Sequence, residues 1–303
     1  MGPRVTVLMG GWSAEREVSL SSGRGCAEAL RTAGYEVTAI DVGADVSALL
    51  AALSPRPDVV FNALHGRGGE DGTIQAILNL LRIPYTHSGL VASAVAMDKP
   101  MAKRVFRDGG LPVAEGQVMT RGEILEGPVM SAPYVIKPTN EGSSVGVIIV
   151  RPGESRPIRA DQLNDEMLVE PFIPGRELTV AVMGDRALGV IEILARGTWY
   201  DYEAKYAAGG SEHLCPAPIH PAAYDEACSI AVAAHRLLGC RGVSRADFRY
   251  DDTEGEPGKL YLLEVNTQPG MTSTSLVPEL AAAQGLSFVA LVTWLVENAR
   301  CDA

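Results

Sequence analysis

Three short stretches of the chain combine residue types and spacings that could carry chemistry. In "LLEVNTQPG", Glu264 and Asn266 stand two apart in a strand-forming run, so both project from one face while Leu263 and Val265 take the other. In "SRADFRY", Arg245 and Asp247 share a face by the same alternation. If these two strands pair, Asp247, Glu264 and Asn266 converge as two carboxylates and a neutral amide beside an arginine. Such an all-oxygen set suits Mg²⁺, which takes one or two carboxylates and fills its shell with water and substrate phosphates. A surface salt-bridge patch around Arg245 would use the same residues. Carboxylates buried between runs such as "YLLEV" are costly unless a metal or hydrogen bonds compensate them.

The third stretch, "KPTNEGSSVGVIIV", joins Lys137 to a Gly/Ser loop and a β-branched run. It matches neither the G-x-x-x-x-G-K-[ST] nor the G-x-G-x-x-G phosphate pattern. The run after Gly146 makes it a hairpin, with Gly142, Ser143, Ser144 and Gly146 at the tip. Glycines let backbone N–H groups approach a ligand, and the two hydroxyls add donors, so a lid over phosphates is sensible chemistry. A plain flexible hairpin fits the loop alone equally well. Lys137 ends the run "YVIK", where an apolar residue would suit a buried strand, and its point charge would pair with phosphate oxygens.

The elements that position these residues fall into three textures. From Val5 to about Val95, runs such as "VTVLM", "EVTAIDV" and "DVVFNAL" alternate with helical stretches, among them Ser21 to Thr32, closed by Gly34. That alternation predicts βαβ units around a parallel sheet. After Met97, a basic amphipathic helix "DKPMAKRVFRDGG" precedes the strands "YVIKP", "SVGVIIV" and "MLVEPF", a smaller α+β unit. From Arg176, "ELTVAVMGDRALGVIEIL" reads as a hairpin about a Gly-Asp turn. A polar loop, a helix from Pro221 to Leu238, the two acidic strands and two closing helices parted near Gly285 complete the chain. The expected division is residues 1–95, 96–172 and 173–303.

Composition narrows the classes of function. The chain has 303 residues, 47% of them apolar and 21% charged, enough for a substantial core. A net charge of −11 repels nucleic-acid backbones and anionic membranes, and no basic patch offsets it. No window reaches the roughly 18 apolar residues of a membrane span, and "MGPRVTVLMGG" is too short an apolar run for a signal peptide. A soluble, cytoplasmic protein is expected. Its five cysteines are scattered and without C-x-x-C, which points to reduced thiols rather than a disulfide framework or thiolate zinc site.

Taken together, a lysine strand, a Gly/Ser hairpin, an acidic linker strand "LVEPF" and an acid-acid-amide set resemble the ATP-grasp superfamily. "GGWSAEREVSLSSG", "ALHGRGGEDGTIQ", "EGSSVG", "YDYEAKY" and "LLEVNTQPGMTSTSLVP" are similar, in order and spacing, to motifs of the D-alanine:D-alanine ligases. The resemblance covers nearly the whole chain. It implies a three-domain ATP-grasp architecture, α/β and α+β, with an amino-terminal parallel-sheet domain for substrate. It also implies ATP-dependent formation of D-alanyl-D-alanine for peptidoglycan precursors; D-alanine:D-lactate ligation, or another ATP-grasp carboxylate-amine ligation, is the alternative. A homodimer is implied as well.

Residue by residue, the resemblance gives Lys99 and Lys137 to the ATP phosphates, with Gly142, Ser143 and Ser144 covering them. Glu170, Phe172 and Ile173 meet adenine, Glu177 takes the ribose, and Lys205 touches phosphate. Asp247, Glu264 and Asn266 hold two Mg²⁺ (or Mn²⁺). The first D-alanine sits near Glu15, which pairs with its ammonium, and near His65. Arg245 and the N–H of Gly270 stabilise an oxyanion, Ser275 and Leu276 place the second carboxylate, and Tyr206, on the lid loop "TWYDYEAKYAAGGSEH", closes a triad with Ser143 and Glu15. Three residues depart from the common pattern: Trp12, Pro171, which removes a backbone N–H from the adenine linker, and Gln268, where serine is frequent. None of them is expected to touch the chemistry. From the residues alone, His65 could equally be a satisfied strand-end histidine, and Glu15 a first-turn helix acid favoured by the dipole.

Overall fold

The computed structural model describes residues 2–127, 129–142, 145–153, 158–195 and 210–302. The amino-terminal part runs β1 (Arg4–Gly10), α1 (Arg16–Thr32), β2 (Glu36–Val42), α2 (Val46–Ala52), β3 (Val59–Asn62) and α3 (Thr73–Leu80). The three strands form a parallel sheet in the order β2-β1-β3, as the βαβ alternation predicts. Central β1 is buried from Val5 to Leu8, Thr6 included, as a strand covered on both faces is. Val5 and Val7 pack with Cys26 and Leu30 of α1, whereas Leu8 packs with Ile74 and Leu78 of α3 on the other face.

α1 begins at Arg16 rather than near Ser21 because Ser13 starts it. The Ser13 hydroxyl accepts the Glu15 N–H at 3.1 Å and its carbonyl accepts the Arg16 N–H at 3.2 Å. That turn sets Glu15 at the helix N-cap, at the mouth of the sheet. The other end is as expected: Gly34, at φ 92°, donates to the Arg31 carbonyl.

α4 (Leu90–Met97) and α5 (Lys99–Asp108) follow, α5 capped by Asp98, whose carboxylate accepts the Met101 N–H at 2.9 Å. An antiparallel sheet, β4-β7-β5-β6, is built from β4 (Gln117–Thr120), β5 (Tyr134–Pro138), β6 (Ile148–Val150) and β7 (Glu166–Pro171). α6 (Arg121–Glu126) lies against it, started by a capping box between Thr120 and Glu123.

A second antiparallel sheet, β10-β9-β8-β11-β12, holds β8 (Arg176–Met183), β9 (Arg186–Ala195), β10 (Ser211–Leu214), β11 (Val243–Asp251) and β12 (Lys259–Asn266). β8 and β9 turn about Gly184-Asp185, with Gly184 at φ 65°, as a two-residue hairpin requires. α7 (Pro221–Leu237) covers this sheet and shares a core with Ala102 and Phe106 of α5. α8 (Leu276–Ala283) and α9 (Phe288–Glu297) return the chain to the parallel sheet, where Leu291 and Leu295 join the α1 core. Among the described residues no single helix is long and apolar enough to cross a membrane.

Candidate active site

The two acidic strands pair as their alternation requires. In the antiparallel β11–β12 register Asp247 lies opposite Glu264 and Arg245 opposite Asn266, so all four line one cleft. Arg245 grips Asp247 through two parallel bonds, Nε to Oδ1 at 2.9 Å and Nη2 to Oδ2 at 2.7 Å. Thr179, opposite Asp247 on β8, donates to its Oδ1 at 2.6 Å. Glu264 lies 3.3 Å from the Lys99 ammonium, and the Asn266 side-chain oxygen accepts the Gln268 N–H at 2.8 Å. Each carboxylate therefore has a cation beside it. The salt bridge and the oxygen donor set are features of one site.

The cleft continues between the two antiparallel sheets. Its floor is a charged triad: Glu170 on β7 puts one carboxylate oxygen on Lys103 of α5 and the other 2.6 Å from Lys137 of β5. All three are more than nine-tenths buried. Burial pushes the Lys137 ammonium down to about 8, with the Lys99 charge adding to the fall and Glu264 opposing it. Val135, Val147 and Leu263 give the cleft apolar walls, and Phe172, Ile173 and Glu177 close one end. Arg249, opposite Glu177 on β11, fixes this linker by donating to the carbonyls of Ile173 at 3.1 Å and Gly175 at 2.7 Å. Glu170 thus meets the cleft with both carboxylate oxygens already engaged by lysines.

At the opposite end the cleft opens onto a polar pocket below the parallel sheet, lined by Glu15, His65, Glu70, Gly142 and Gly270. His65 Nδ1 lies 3.0 Å from Glu70 Oε1 and Nε2 lies 3.3 Å from the Ser22 hydroxyl, which in turn accepts the Met271 N–H. Facing a carboxylate, Nδ1 is the nitrogen that carries the proton. Glu15 reaches toward the Gly/Ser hairpin: a Cβ added to Gly142 would lie 3.3 Å from Glu15 Oε2, and one on Gly66 2.9 Å from it. A Cβ on Gly270 would stand 2.9 Å from the Ser275 hydroxyl, so a side chain there would displace that hydroxyl. That hydroxyl accepts the Thr272 N–H at 2.9 Å, so no side chain caps the amino end of α8. Lys99, Glu141, Asp247 and Glu264 border both the pocket and the cleft, which makes them one continuous site.

Family models described as "D-ala D-ala ligase N-terminus" and "D-ala D-ala ligase C-terminus" match residues 45–88 and 105–297. A D-alanine–D-alanine ligase of Paramagnetospirillum magneticum is 62% identical over 305 aligned positions, covering 100% of both chains. The chain belongs to the D-alanine–D-alanine ligase family. A ligase of Parvibaculum lavamentivorans is 60% identical, with 98% of each chain covered. The crystal structure of the Bacillus anthracis D-alanine–D-alanine ligase complexed with ATP superposes with a TM-score of 0.80 at 28% identity, covering 98% of this chain and 97% of that one. The arrangement above, one parallel and two antiparallel sheets with their helices, is therefore the fold of this ligase family.

The structure places most of the expected site residues in this one continuous cavity. Glu15, His65, Lys99, Gly142, Arg245, Asp247, Glu264, Asn266, Gly270, Ser275 and Leu276 line the pocket, and Lys137, Glu170, Phe172, Ile173 and Glu177 line the cleft. Ser143, Ser144, Lys205 and Tyr206 lie outside the described residues. The oxygen donors are of the kind a hard divalent cation takes: two carboxylates and an amide line the same cleft, where substrate phosphates would complete the shell. Among the described residues no three His, Cys, Asp or Glu side chains suffice alone.

Sequence reasoning missed Glu70, Lys103 and Arg249. Arg249 had a signal, since it extends the Arg245–Asp247 alternation by one step. Gln268 lines neither the pocket nor the cleft and acts on the site only through its neighbours. It is 1% exposed, takes a 2.6 Å hydrogen bond from Asn62 at the end of β3, and donates its backbone N–H to Asn266.

Proposed function

We propose that the chain joins two D-alanines into D-alanyl-D-alanine at the expense of ATP, as a cytoplasmic homodimer supplying peptidoglycan precursors. The observation that carries this reading is the continuity of the lysine-floored cleft with the pocket of Glu15 and His65. An ATP phosphate tail in the first would end at a carboxylate held in the second. Residues 1–95, 96–172 and 173–303 act as substrate, central and carboxyl-terminal domains around that junction.

Adenine lies along Phe172 and Ile173, the ribose meets Glu177, and the phosphates lie on Lys99, Lys137 and the hairpin of Gly142, Ser143 and Ser144, with Lys205 above. Mg²⁺ or Mn²⁺ held by Asp247, Glu264 and Asn266 supplies charge neutralisation for the phosphates. The ammonium of the first D-alanine pairs with Glu15, beside His65. Its carboxylate oxygen attacks the γ-phosphorus, the bond to the bridging oxygen breaks, and ADP and an acylphosphate result. The amine of the second D-alanine, aligned by its carboxylate at Ser275, Leu276 and the uncapped amino end of α8, attacks the acyl carbon. Arg245 and the Gly270 N–H stabilise the oxyanion; phosphate departs, the amine loses its proton, and the amide is formed. Positioning and charge are most of what such a transfer asks of a protein. The acylphosphate must be kept from water, a task this reading gives to Tyr206 with Ser143 and Glu15.

Phosphate release with ATP, Mg²⁺ and single D-amino acids, with chromatography of the products, tests the reading. Release that needs D-alanine and yields D-alanyl-D-alanine is expected. Predominant ester from equal D-alanine and D-lactate, or release without D-alanine, would overturn it.

A further inference from the structure

The cleft floor holds one charge that the proposed reaction does not use. Lys103 sits in α5 between Ala102 and Arg104, 3% exposed, and its ammonium meets Glu170 rather than the cleft. Glu170, also 3% exposed, divides its two oxygens between Lys103 and Lys137. Only Glu170 and Lys137 of the three line the cleft. A buried lysine is expensive, and a neutral side chain would fill the same space at lower cost.

We infer that Lys103 is a positioning residue for the nucleotide phosphates: it occupies half of Glu170, so that Glu170 orients Lys137 without cancelling its charge. The inference rests on reading the cleft as the ATP site and deepens it. A Glu170–Lys137 pair alone is neutral, and a phosphate entering the cleft would have to compete with a buried carboxylate for Lys137. With Lys103 the triad carries a net charge of +1, and the surplus faces the cleft, because Lys137 lines the cleft whereas Lys103 is 3% exposed and does not. Attraction between that surplus and a phosphate is strong in a dry site, where the dielectric is low. Burial, together with the neighbouring Lys137 and Arg107 charges, pushes the Lys103 ammonium down, and the carboxylate of Glu170 in contact with it opposes that fall.

The charge argument is separable from a packing role. ADP and adenosine share the base and ribose, and only ADP carries phosphates, so the ratio of their affinities reads the charge at the floor. With the full chain, Lys103→Met should weaken ADP about tenfold, or roughly 1.4 kcal/mol, and adenosine by less than about twofold. Lys103→Met combined with Glu170→Gln should return ADP to within about threefold of wild type, because the amide no longer neutralises Lys137. Lys103→Arg should bind as wild type. Equal losses of ADP and adenosine, or no recovery in the double variant, would overturn the inference. If Lys103→Met loses its cooperative melt, Lys103→Gln takes its place with the same expected ratio. Wild-type protein that fails to bind ADP, or a Lys137→Met variant that binds it normally, would instead sink the reading of the cleft itself.

Discussion

Asn62 and Gln268 stand 206 positions apart in the chain, and the Asn62 amide donates to Gln268 Oε1 at 2.6 Å with both side chains fully buried. Gln268 Nε2 donates in turn to the Leu64 carbonyl, and its backbone N–H to Asn266 Oδ1. One residue therefore ties the end of the parallel sheet, which leads into His65, to the end of β12, which carries Glu264 and Asn266. Gln268→Ala leaves the Asn62 amide and the Leu64 carbonyl each short of a partner. At about 1–3 kcal/mol for a buried unsatisfied group, a loss of about 3 kcal/mol in unfolding free energy is expected. Urea denaturation measures it, and a loss under about 1 kcal/mol would mean that the contact is dispensable.

Glu264 faces Asp247 across the strand pair and Lys99 across the cleft. Glu264→Gln keeps the shape and removes the charge, so turnover should collapse while the melting temperature stays within a few degrees of wild type. Near wild-type phosphate release at saturating Mg²⁺ would exclude Glu264 from the proposed metal set.

Arg245 is held in place by its two bonds to Asp247, which fixes the guanidinium before any substrate arrives. Loss of one preorganised oxyanion donor costs about 2.7–4 kcal/mol in the barrier, and Arg245→Ala should lower kcat by about 10²–10³. Asp247 keeps its bond from Thr179 in that variant, so the fold should persist. A fall in kcat smaller than about tenfold takes Arg245 out of the oxyanion role.

The acid-acid-amide set was legible in the sequence because strands place side chains by a period of two, and β11 and β12 keep that period up to the bulge after Asp247. The parallel sheet was legible from strand-forming runs that alternate with helical stretches. Lys103 was not legible. In "AKRVF" it reads as one more charge on a solvated helix face, and its burial depends on Glu170, 67 positions later on another element. The start of α1 was hidden likewise, because a single serine hydroxyl sets it and local propensity around Ser21 carries no trace of that bond. What pattern reports is a face; which polar partner waits on the other side comes only from the packed structure.

The last expectation concerns pH and the junction of the parallel sheet with the rest of the chain. Asp302 accepts the Leu90 N–H at 2.9 Å, the Asn79 amide at 2.9 Å and the Tyr85 hydroxyl at 3.1 Å, and it pairs with Arg241, whose guanidinium lies 4.7 Å from the Tyr85 ring centre. Burial works to raise this carboxyl, but the bonds from Leu90, Asn79 and Arg241 override it and hold the group at about 2. An unfolded aspartate titrates near 3.9, so the folded form binds its proton less readily. The sign follows: the contribution to stability is present above about pH 4 and fades as pH falls through about 2. Full linkage for such a shift is about 2.6 kcal/mol; with a third of the side chain in solvent, screening reduces it to about 1 kcal/mol. Asp302→Asn should therefore be less stable than wild type by about that amount at pH 7, and the gap should shrink steadily below about pH 4. Urea midpoints for both proteins across that range decide the point, because acid effects common to the two cancel in the difference. A gap that stays constant from about pH 7 to pH 3 would assign the stabilisation to shape rather than to the charge of Asp302.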